Sequence, residues 1–169
     1  MRDAAEVHRN VERVTAAAAD LGVPVATREF PDGTRTAADA ARAIGCEVGQ
    51  IVKSLVFLLD DAPVMALVSG ANQLDEARLA AALGGDRVSR ADAAVVRDAT
   101  GYPIGGVPPF GHTRPLPTAV DEDLLRYGEV WAAAGTPRDV FAVVPGDLVR
   151  VTSGAVAPLR AADGSATVG

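Results

Sequence analysis

Residues 101–112 read Gly101-Tyr102-Pro103-Ile104-Gly105-Gly106-Val107-Pro108-Pro109-Phe110-Gly111-His112. They hold four glycines and three prolines. Neither a helix nor a central strand accommodates this mixture, because proline removes a backbone donor and glycine readily adopts positive φ. Large apolar side chains stand between these glycines and prolines. A polar linker would lack them, and here they would anchor the segment against a core. The run therefore predicts a rigid loop that its neighbouring helices and strands hold in place.

Within this loop, Gly105 and Gly106 form a stretch of backbone that no side chain covers. A ligand could approach it closely, and its two N–H groups could donate hydrogen bonds to a carbonyl or phosphate oxygen. The other interpretation is a tight structural turn, which is what a cluster of glycine and proline most often forms. The loop alone does not decide between the two.

The composition is that of one globular domain. The chain has 169 residues, 49% of them hydrophobic, so we expect one domain over residues 1–169 with a flexible tail at 161–169. Its net charge of −6 argues against a protein that coats nucleic acid non-specifically. Cys46 is the single cysteine, so an internal disulfide is excluded and a cytoplasmic location is expected. Neither a signal peptide nor a membrane span is expected from the N-terminal residues.

Hydrophobic periodicity and turn residues predict short helices and short strands. The predicted helices span 3–21, 37–44, 75–83, 91–99 and a last turn from Pro145; the predicted strands span 24–30, 51–59, 64–69, 87–89, 118–121, 129–133 and 140–144. Strand pairs joined by turns imply antiparallel pairing, and a regular βαβ rhythm is absent. We therefore predict a mixed α/β fold of the α+β kind, in which short helices flank a curved mixed or antiparallel sheet.

Lys53 interrupts the apolar run of the strand predicted over 51–59. An ammonium group is costly to bury unless it meets water or an anion. Lys53 is thus either a cation at the mouth of a pocket, binding a phosphate or a polarised oxygen, or a strand-end side chain that reaches solvent. Ser54 follows on the opposite face of the strand and is not expected to share the site.

Two further polar residues lie near the loop in sequence. His112 ends it, and we count His112 among the candidate substrate-binding residues, with a structural role as the alternative. Asp121 would orient His112 or Lys53, or cap the short helix that begins at Glu122. Motifs for a nucleophile, a metal or a nucleotide phosphate are absent from the sequence, so neither a metal nor a cofactor is expected.

Seven short segments occur together, in a fixed order, between about Thr34 and Leu159. They are Thr34-Arg35-Thr36, Gln50-Ile51-Val52-Lys53-Ser54-Leu55-Val56-Phe57, Leu83-Gly84-Gly85, the run from Thr100 through the loop described above, Pro115-Leu116-Pro117, Ala134-Gly135-Thr136-Pro137 and Pro145-Gly146-Asp147-Leu148. In this combination the chain resembles the YbaK-like aminoacyl-tRNA deacylases, which are related to the editing insertion domain of bacterial prolyl-tRNA synthetases. The resemblance implies a mixed α/β editing domain that hydrolyses the ester between a wrong amino acid and tRNA.

The resemblance also implies two catalytic positions. In the family, the lysine matching Lys53 is the central functional residue and lies near the 3′-terminal adenosine. The glycine matching Gly105 lines the aminoacyl pocket. The nucleophile is water or a group of the substrate itself, and Lys53 would hold the phosphate or ribose of the tRNA 3′ end.

Substrate contacts follow from the same resemblance. The loop of Gly105, Gly106, Val107, Pro108 and Pro109 would hold the ester carbonyl through backbone N–H groups and limit the size of the amino acid.

A second segment, matching Ala133-Ala134-Gly135, would close the pocket, so Ala134 and Gly135 are also candidate substrate-binding residues. Members that clear Cys tend to have Ser-Gly-Gly before a basic pair, whereas this chain has Ala133-Ala134-Gly135-Thr136-Pro137. The less polar wall favours a small residue such as Ala, Ser, Thr or 2-aminobutyrate over Cys.

The expected partner is the acceptor end of an aminoacyl-tRNA, with prolyl-tRNA synthetase or an elongation factor as candidate protein partners and a monomer or homodimer as the assembly. Three hypotheses remain open at this point: a trans-editing hydrolase for misacylated tRNA(Pro), a non-catalytic module of the same fold that binds a nucleotide, an aminoacyl ligand or a protein, and a general esterase. The third would need Cys46 or Ser54 as its nucleophile.

Overall fold

The structure, a computed structural model, describes residues 4–30 and 36–162, with the backbone alone for residues 4–8. Its helices are α1 (Ala4–Asp20), α2 (Ala37–Ile44), α3 (Glu76–Leu83), α4 (Ala93–Thr100) and α5 (Pro145–Thr152). Its strands are β1 (Thr27–Glu29), β2 (Val52–Leu59), β3 (Ala62–Ser69), β4 (Val88–Arg90), β5 (Thr118–Asp121), β6 (Val130–Ala133), β7 (Asp139–Val143) and β8 (Ala155–Ala157). Short 3₁₀ helices occupy Val48–Gln50 and Glu122–Arg126.

The helix boundaries follow from capping residues in the sequence. The hydroxyl of Thr36 accepts a hydrogen bond of 3.0 Å from the Asp39 N–H at the start of α2, and Gly45 ends that helix at φ 88°. Asp75 accepts from the N–H groups of Ala77 and Arg78 at the start of α3. Side-chain acceptors satisfy N–H groups that the first turn of a helix leaves unpaired, so these helices begin where the sequence predicts.

The strands form two sheets. The larger, mixed sheet has the order β4-β2-β3-β5-β8, and the smaller, antiparallel sheet has the order β1-β7-β6. A single parallel bridge between Ile51 and Trp131 connects the two. The predicted mixed sheet flanked by short helices is confirmed, and the strands are divided between two sheets rather than one.

β2 is paired very differently on its two edges. It pairs with β3 along its whole length, from the Val52–Ser69 pair to the Leu59–Ala62 pair. On its other edge it pairs with β4 over only its last three residues, beginning at Phe57. The first half of that edge is therefore open, apart from the bridge at its start.

Both faces of β2 are covered by core. Val52 and Val56 belong to the main hydrophobic cluster, which also includes Tyr102, Val107 and Phe141. The alternate residues Phe57 and Leu59 belong to a second cluster, built around α3. Alternation of side chains places Lys53 on the face of the second cluster and Ser54 on the face of the main cluster.

Several predicted boundaries differ from the structure. The strand predicted over 24–30 is reduced to Thr27–Glu29, and β8 is not predicted from the sequence. The predicted tail begins at 161, yet Ala161 is buried and its N–H donates to the Gln73 carbonyl at 2.8 Å. Three stretches lie outside the described residues: 31–33, where Pro-Asp-Gly predicts a turn, the first two residues of the segment 34–36, and residues 163–169. Among the helices described, none is long and apolar enough to cross a membrane.

Candidate functional site

A cavity of about 660 Å³ runs along the open edge of β2. Its walls come from β2, from the facing ends of β6 and β7, from α2 and from the glycine- and proline-rich loop. The lining residues are Thr36, Ala37, Ala40, Ile51, Val52, Lys53, Ser54, Leu55, Val56, Phe57, Arg90, Ala91, Val96, Ile104, Gly105, Val107, Trp131, Ala132, Ala133, Thr136, Pro137, Asp139 and Val140. Its volume lies within the range of about 300–1,000 Å³ that is usual for small-molecule sites.

Lys53 lines this cavity, and its position is fixed at the ammonium end. Its Nζ donates a hydrogen bond of 2.5 Å to the backbone carbonyl of Asn72. The side chain is partly buried, and this burial lowers the pKa of Lys53, while the nearby carboxylate of Asp121 opposes the change. Lys53, a residue of the cavity wall, therefore carries an oriented amine whose charged form is less favoured than in water.

The partner of Lys53 is held by a buried polar network. Asn72 donates through its side-chain amide to Asp121 and Asp123, each at 2.8 Å. Asp121 is fully buried and also accepts from the N–H groups of Ser69 and Asp123, each at 3.0 Å. Asp121 thus caps the 3₁₀ helix that begins at Glu122, which was one of the alternatives drawn from the sequence. It also supports Lys53 through Asn72. Among the described residues, no hydrogen bond joins Asp121 to His112.

Gly105 and Gly106 form a tight turn, and they are not equivalent. The Gly106 N–H donates to the Pro103 carbonyl at 3.0 Å, and Gly105 precedes it at φ 88°, as expected for the third residue of a type II turn. Of the two predicted donors, the Gly106 N–H is therefore not available to a ligand, because it already donates to the Pro103 carbonyl. Gly105 is exposed and lines the cavity, and its N–H has no hydrogen bond within the described part of the chain.

Gly106 is instead a packing position. A Cβ at this residue would lie 2.8 Å from the Thr136 Cα and 2.9 Å from the Gly135 carbonyl oxygen. Both are backbone atoms, so the loop contacts the β6–β7 connection at a distance that glycine alone permits. This contact holds Gly105 opposite Pro137 at the cavity wall.

The structure brings together only some of the predicted site residues. Lys53, Gly105 and Val107 line the same cavity. Pro108 is buried but does not line it. Pro109 and His112 line a separate depression of about 330 Å³ beside α1 and α5.

Ala134 and Gly135 lie behind the cavity wall. Ala134 is fully buried in the main cluster. The Gly135 carbonyl accepts from the Asn10 side chain at 3.1 Å, and a Cβ at Gly135 would meet the Asn10 backbone at 2.9 Å. The neighbouring Ala133 and Thr136 line the cavity in their place. Direct substrate contact by Ala134 and Gly135 therefore has no support in the geometry.

His112 holds the loop together. Its Nε2 lies 2.6 Å from the Pro108 carbonyl oxygen, so this nitrogen carries the proton and donates it. Burial lowers the pKa of His112, and this hydrogen bond opposes the change. A half-buried histidine that is bonded to its own loop fits the structural role that the sequence left as the alternative.

Ser54 is a cavity residue that the sequence interpretation excluded. The Gly70 N–H donates to the Ile51 carbonyl, so alternation directs the backbone N–H and C=O of Ser54 away from β3 and toward the open edge. Its Oγ is buried and lacks a hydrogen-bond partner among the described residues. The expectation that Lys53 and Ser54 lie in different sites is wrong, because the cavity follows an edge where both faces of the strand meet.

A buried carboxylate also reaches the cavity. Asp139 is 6% exposed and accepts a 2.5 Å hydrogen bond from the Thr136 hydroxyl, which itself accepts from the N–H groups of Arg138 and Asp139. These contacts close the turn between β6 and β7, as serine and threonine turns do. Within residues 4–30 and 36–162, no cluster of three His, Cys, Asp or Glu side chains is placed to hold a metal ion.

The sequence contains a stronger indication that Lys53 is special than its position in an apolar strand. The chain has 16 lysines and arginines together, and Lys53 is the single lysine among them. Arginine serves at every other cationic position, although the two side chains differ in shape and in proton affinity. The ammonium at position 53 is thus the chain's one compact, titratable side-chain cation other than histidine.

Known proteins resemble this chain over most of its length. The sequence model of the aminoacyl-tRNA editing domain family matches residues 31–151. A relative from Enterococcus faecalis, EbsC, described as a candidate Cys-tRNA(Pro)/Cys-tRNA(Cys) deacylase, is 30% identical over 125 residues, which cover 73% of this chain and 76% of the relative. A proline–tRNA ligase of Nitratidesulfovibrio vulgaris is 35% identical over 111 residues, 64% of this chain but 19% of the ligase.

The fold has a solved counterpart as well. A crystal structure described as a candidate trans-editing enzyme for prolyl-tRNA synthetase superposes with a TM-score of 0.85 at 47% sequence identity. The match covers 90% of this chain and 98% of that one. The two chains therefore share one fold along nearly their whole lengths.

We expect His112→Gln to change how stability depends on pH. The folded state lowers the pKa of His112 from its ordinary value of 6.5, so the unfolded chain binds more protons just below that pH. The contribution of His112 to the stability of the wild type should be fully present above about pH 6.5. It should decrease as the pH falls toward the lowered pKa of the folded state. Urea titrations at several pH values should show a weaker decrease for His112→Gln. Equal slopes for the two proteins would contradict a lowered pKa of His112 in the folded state, and His8→Gln controls for the other histidine.

We expect Gly106→Ala to destabilise the protein by about 1–3 kcal/mol, because its Cβ would overlap backbone that cannot move aside without disturbing the β6–β7 turn. Chemical denaturation measures the change. Gly128→Ala is the matched control, since a Cβ there meets nothing within 4 Å. A Gly106→Ala protein as stable as Gly128→Ala would show that the loop does not pack as described.

Proposed function

Since the chain belongs to the aminoacyl-tRNA editing domain family, we propose that it is a trans-editing hydrolase for misacylated tRNA(Pro) carrying a small amino acid. The resemblance drawn from the sequence is confirmed by the family match and by the relatives. Aminoacyl-tRNA deacylation is the activity that the family and the deacylase relative share. Two relatives point to the proline system, one by its name as a ligase and one as a candidate trans-editing enzyme for that ligase.

One observation carries the proposal: the ammonium-bearing Lys53 and the bare backbone of Gly105 line the same cavity. They come from positions far apart in the chain and from different structural elements. A cation and a free N–H group at one cavity suit a substrate that combines a phosphate-bearing strand with an ester carbonyl.

In the proposed reaction, Lys53 holds the phosphate or ribose of the tRNA 3′ end, and the Gly105 N–H donates to the ester carbonyl oxygen. A water oxygen attacks the carbonyl carbon, or a nucleophilic group of the substrate does so. The bond between that carbon and the ribose oxygen breaks, and the ribose oxygen takes a proton. Positioning and donation by the protein, rather than a covalent intermediate on it, would accelerate hydrolysis.

The general-esterase alternative loses support from the position of Cys46. Cys46 does not line the cavity, and burial together with Glu129 and Glu47 raises the pKa of its thiol, which disfavours the reactive thiolate. Ser54 does line the cavity, but no base among the described residues is hydrogen-bonded to its hydroxyl. A nucleophilic serine needs such a base, so water or the substrate remains the proposed nucleophile.

The wall residues favour a small amino acid. Val107, Ala133 and Val140 contribute apolar side chains where the cavity meets the smaller sheet. Such a wall discriminates between neighbouring small residues by only about 1–3 kcal/mol per methylene, so we propose a preference among Ala, Ser, Thr and 2-aminobutyrate rather than one exclusive substrate. Cys remains an outcome of the test, because the Enterococcus relative carries that description.

We expect wild-type protein to deacylate at least one small-residue tRNA(Pro) in a panel of mischarged tRNAs, and Lys53→Ala to lower kcat/KM at least about 100-fold. The loss follows from removing the side chain that positions the tRNA end at the ester. Arg42→Ala, which alters an exposed i,i+3 ion pair on α2, is the control that should keep full activity. Melting curves verify folding of each variant. Binding without ester loss across the whole panel would favour the non-catalytic module, and equal turnover by Lys53→Ala would remove the mechanism.

We expect Gly105→Val to abolish deacylation, with Gly105→Ala intermediate, because added side-chain atoms would enter the cavity next to Pro137. Substitution also strains the backbone at φ 88°. Gly84→Val carries a similar strain at φ 74°, at the end of α3 and away from the cavity. Single-turnover deacylation and thermal melts should show similar destabilisation of the two valine variants but loss of activity in Gly105→Val alone. Full activity in Gly105→Val would refute the placement of the aminoacyl group.

A further inference from the structure

An arginine is stacked on two aromatic rings beside the cavity. The guanidinium carbon of Arg28 lies 5.2 Å from the Phe30 ring centroid and 5.4 Å from the Trp131 ring centroid. Distances under about 6 Å allow a cation–π interaction with both rings. The proposed function leaves this cluster, which we term the Arg28 stack, without a role.

The Arg28 stack lies on the cavity side of the smaller sheet. Arg28 pairs with Val140 across β1 and β7, and Val140 pairs with Ala133 across β7 and β6. Residues directly opposite each other share one face of a sheet. Since Val140, Ala133 and Trp131 all line the cavity, Arg28 projects from the same face, at the outer strand.

The hydrogen-bonding groups of Arg28 are available to a ligand. Arg28 is exposed, and no ion pair or hydrogen bond of its side chain is recorded in the described ranges. Six other arginines each approach an aspartate within 4 Å: Arg42, Arg78, Arg87, Arg114, Arg126 and Arg150. A guanidinium held over aromatic rings keeps N–H groups that can bind an anion in bidentate fashion.

We propose that the Arg28 stack is a phosphodiester-binding subsite that holds the single-stranded 3′ end of the RNA as it enters the cavity. This inference rests on the proposed function and extends it to a second point of contact. The guanidinium would bind a backbone phosphate, and the exposed parts of the aromatic rings would offer a surface to a neighbouring base. A free phosphate ion would use the first group only, which makes the RNA strand the better fit.

The charge of the chain supports a local site of this kind. With a net charge of −6, the protein repels a polyanion over most of its surface. Lys53 on β2 and Arg90 on β4 line the cavity, and Arg28 on β1 lies over the ring of Trp131, which also lines it. The Arg28 guanidinium, which has no ion pair with another described residue, would give the strand a favourable contact before it reaches Lys53.

Trp131 is the chain's single tryptophan and reports directly on this subsite. We expect titration with a short RNA that ends in CCA and carries no amino acid to change Trp131 fluorescence in a saturable way. Arg28→Ala should weaken binding about tenfold, the loss of a hydrogen bond to a charged group, and should reduce the magnitude of the log–log salt slope by about 0.7. Arg28→Lys, which keeps charge but loses the planar stack, should be intermediate. Arg150→Ala, on α5, is the matched control and should bind like the wild type.

Two results would overturn the subsite. One is an affinity for the RNA that Arg28→Ala leaves unchanged. The other is an equal fluorescence response to inorganic phosphate at the same concentration, which would indicate a simple anion site.

This RNA carries no aminoacyl ester, so the binding experiment is independent of deacylation. Arg28-dependent binding by a protein that hydrolyses no mischarged tRNA would uphold the subsite and refute the proposed function. Deacylation of mischarged tRNA together with an RNA affinity that Arg28→Ala does not change would support the proposed function and refute the subsite.

Discussion

The unequal pairing of β2 is the constraint from which the site follows. A strand paired along one edge and open along half of the other must present backbone and side chains of both faces to whatever lies beside it. Here the smaller sheet, bridged to the larger one through Ile51 and Trp131, stands opposite the open edge and leaves a cavity rather than a continuous sheet. The cavity is thus a gap in a sheet, walled by residues that would otherwise have been covered by another strand.

Local signals in the sequence were sufficient for much of the fold. Thr36, Asp75, Gly45 and Gly84 mark helix ends through short-range hydrogen bonds and glycine conformation, and the structure has those ends. The β2–β3 hairpin follows from two apolar runs around Asp60-Asp61. The division into two sheets and the short strand β8 depend on pairing between distant segments, for which a single sequence carries little signal.

Two residues of the candidate site could be singled out from the sequence, and both line the cavity, whereas the residues around them could not. Lys53 and Gly105 stand out by residue type, because an ammonium in an apolar strand and a bare glycine in a rigid loop each need a reason. Pro109 and His112 follow Gly105 closely in sequence but face another depression, after a turn at 103–106 and a positive φ of 75° at Gly111. Which side of a loop faces a cavity is decided by such dihedral angles, and residue types alone did not reveal them.

The lone lysine has a practical consequence. An aldehyde or an activated ester directed at amines meets a single side-chain target in this chain, and that target lines the cavity. Its lowered pKa leaves more of the amine in the nucleophilic, unprotonated form than an exposed lysine would have at the same pH. Covalent labels, cross-linkers and mass tags can therefore be directed to a residue of the cavity wall without engineering a new attachment point.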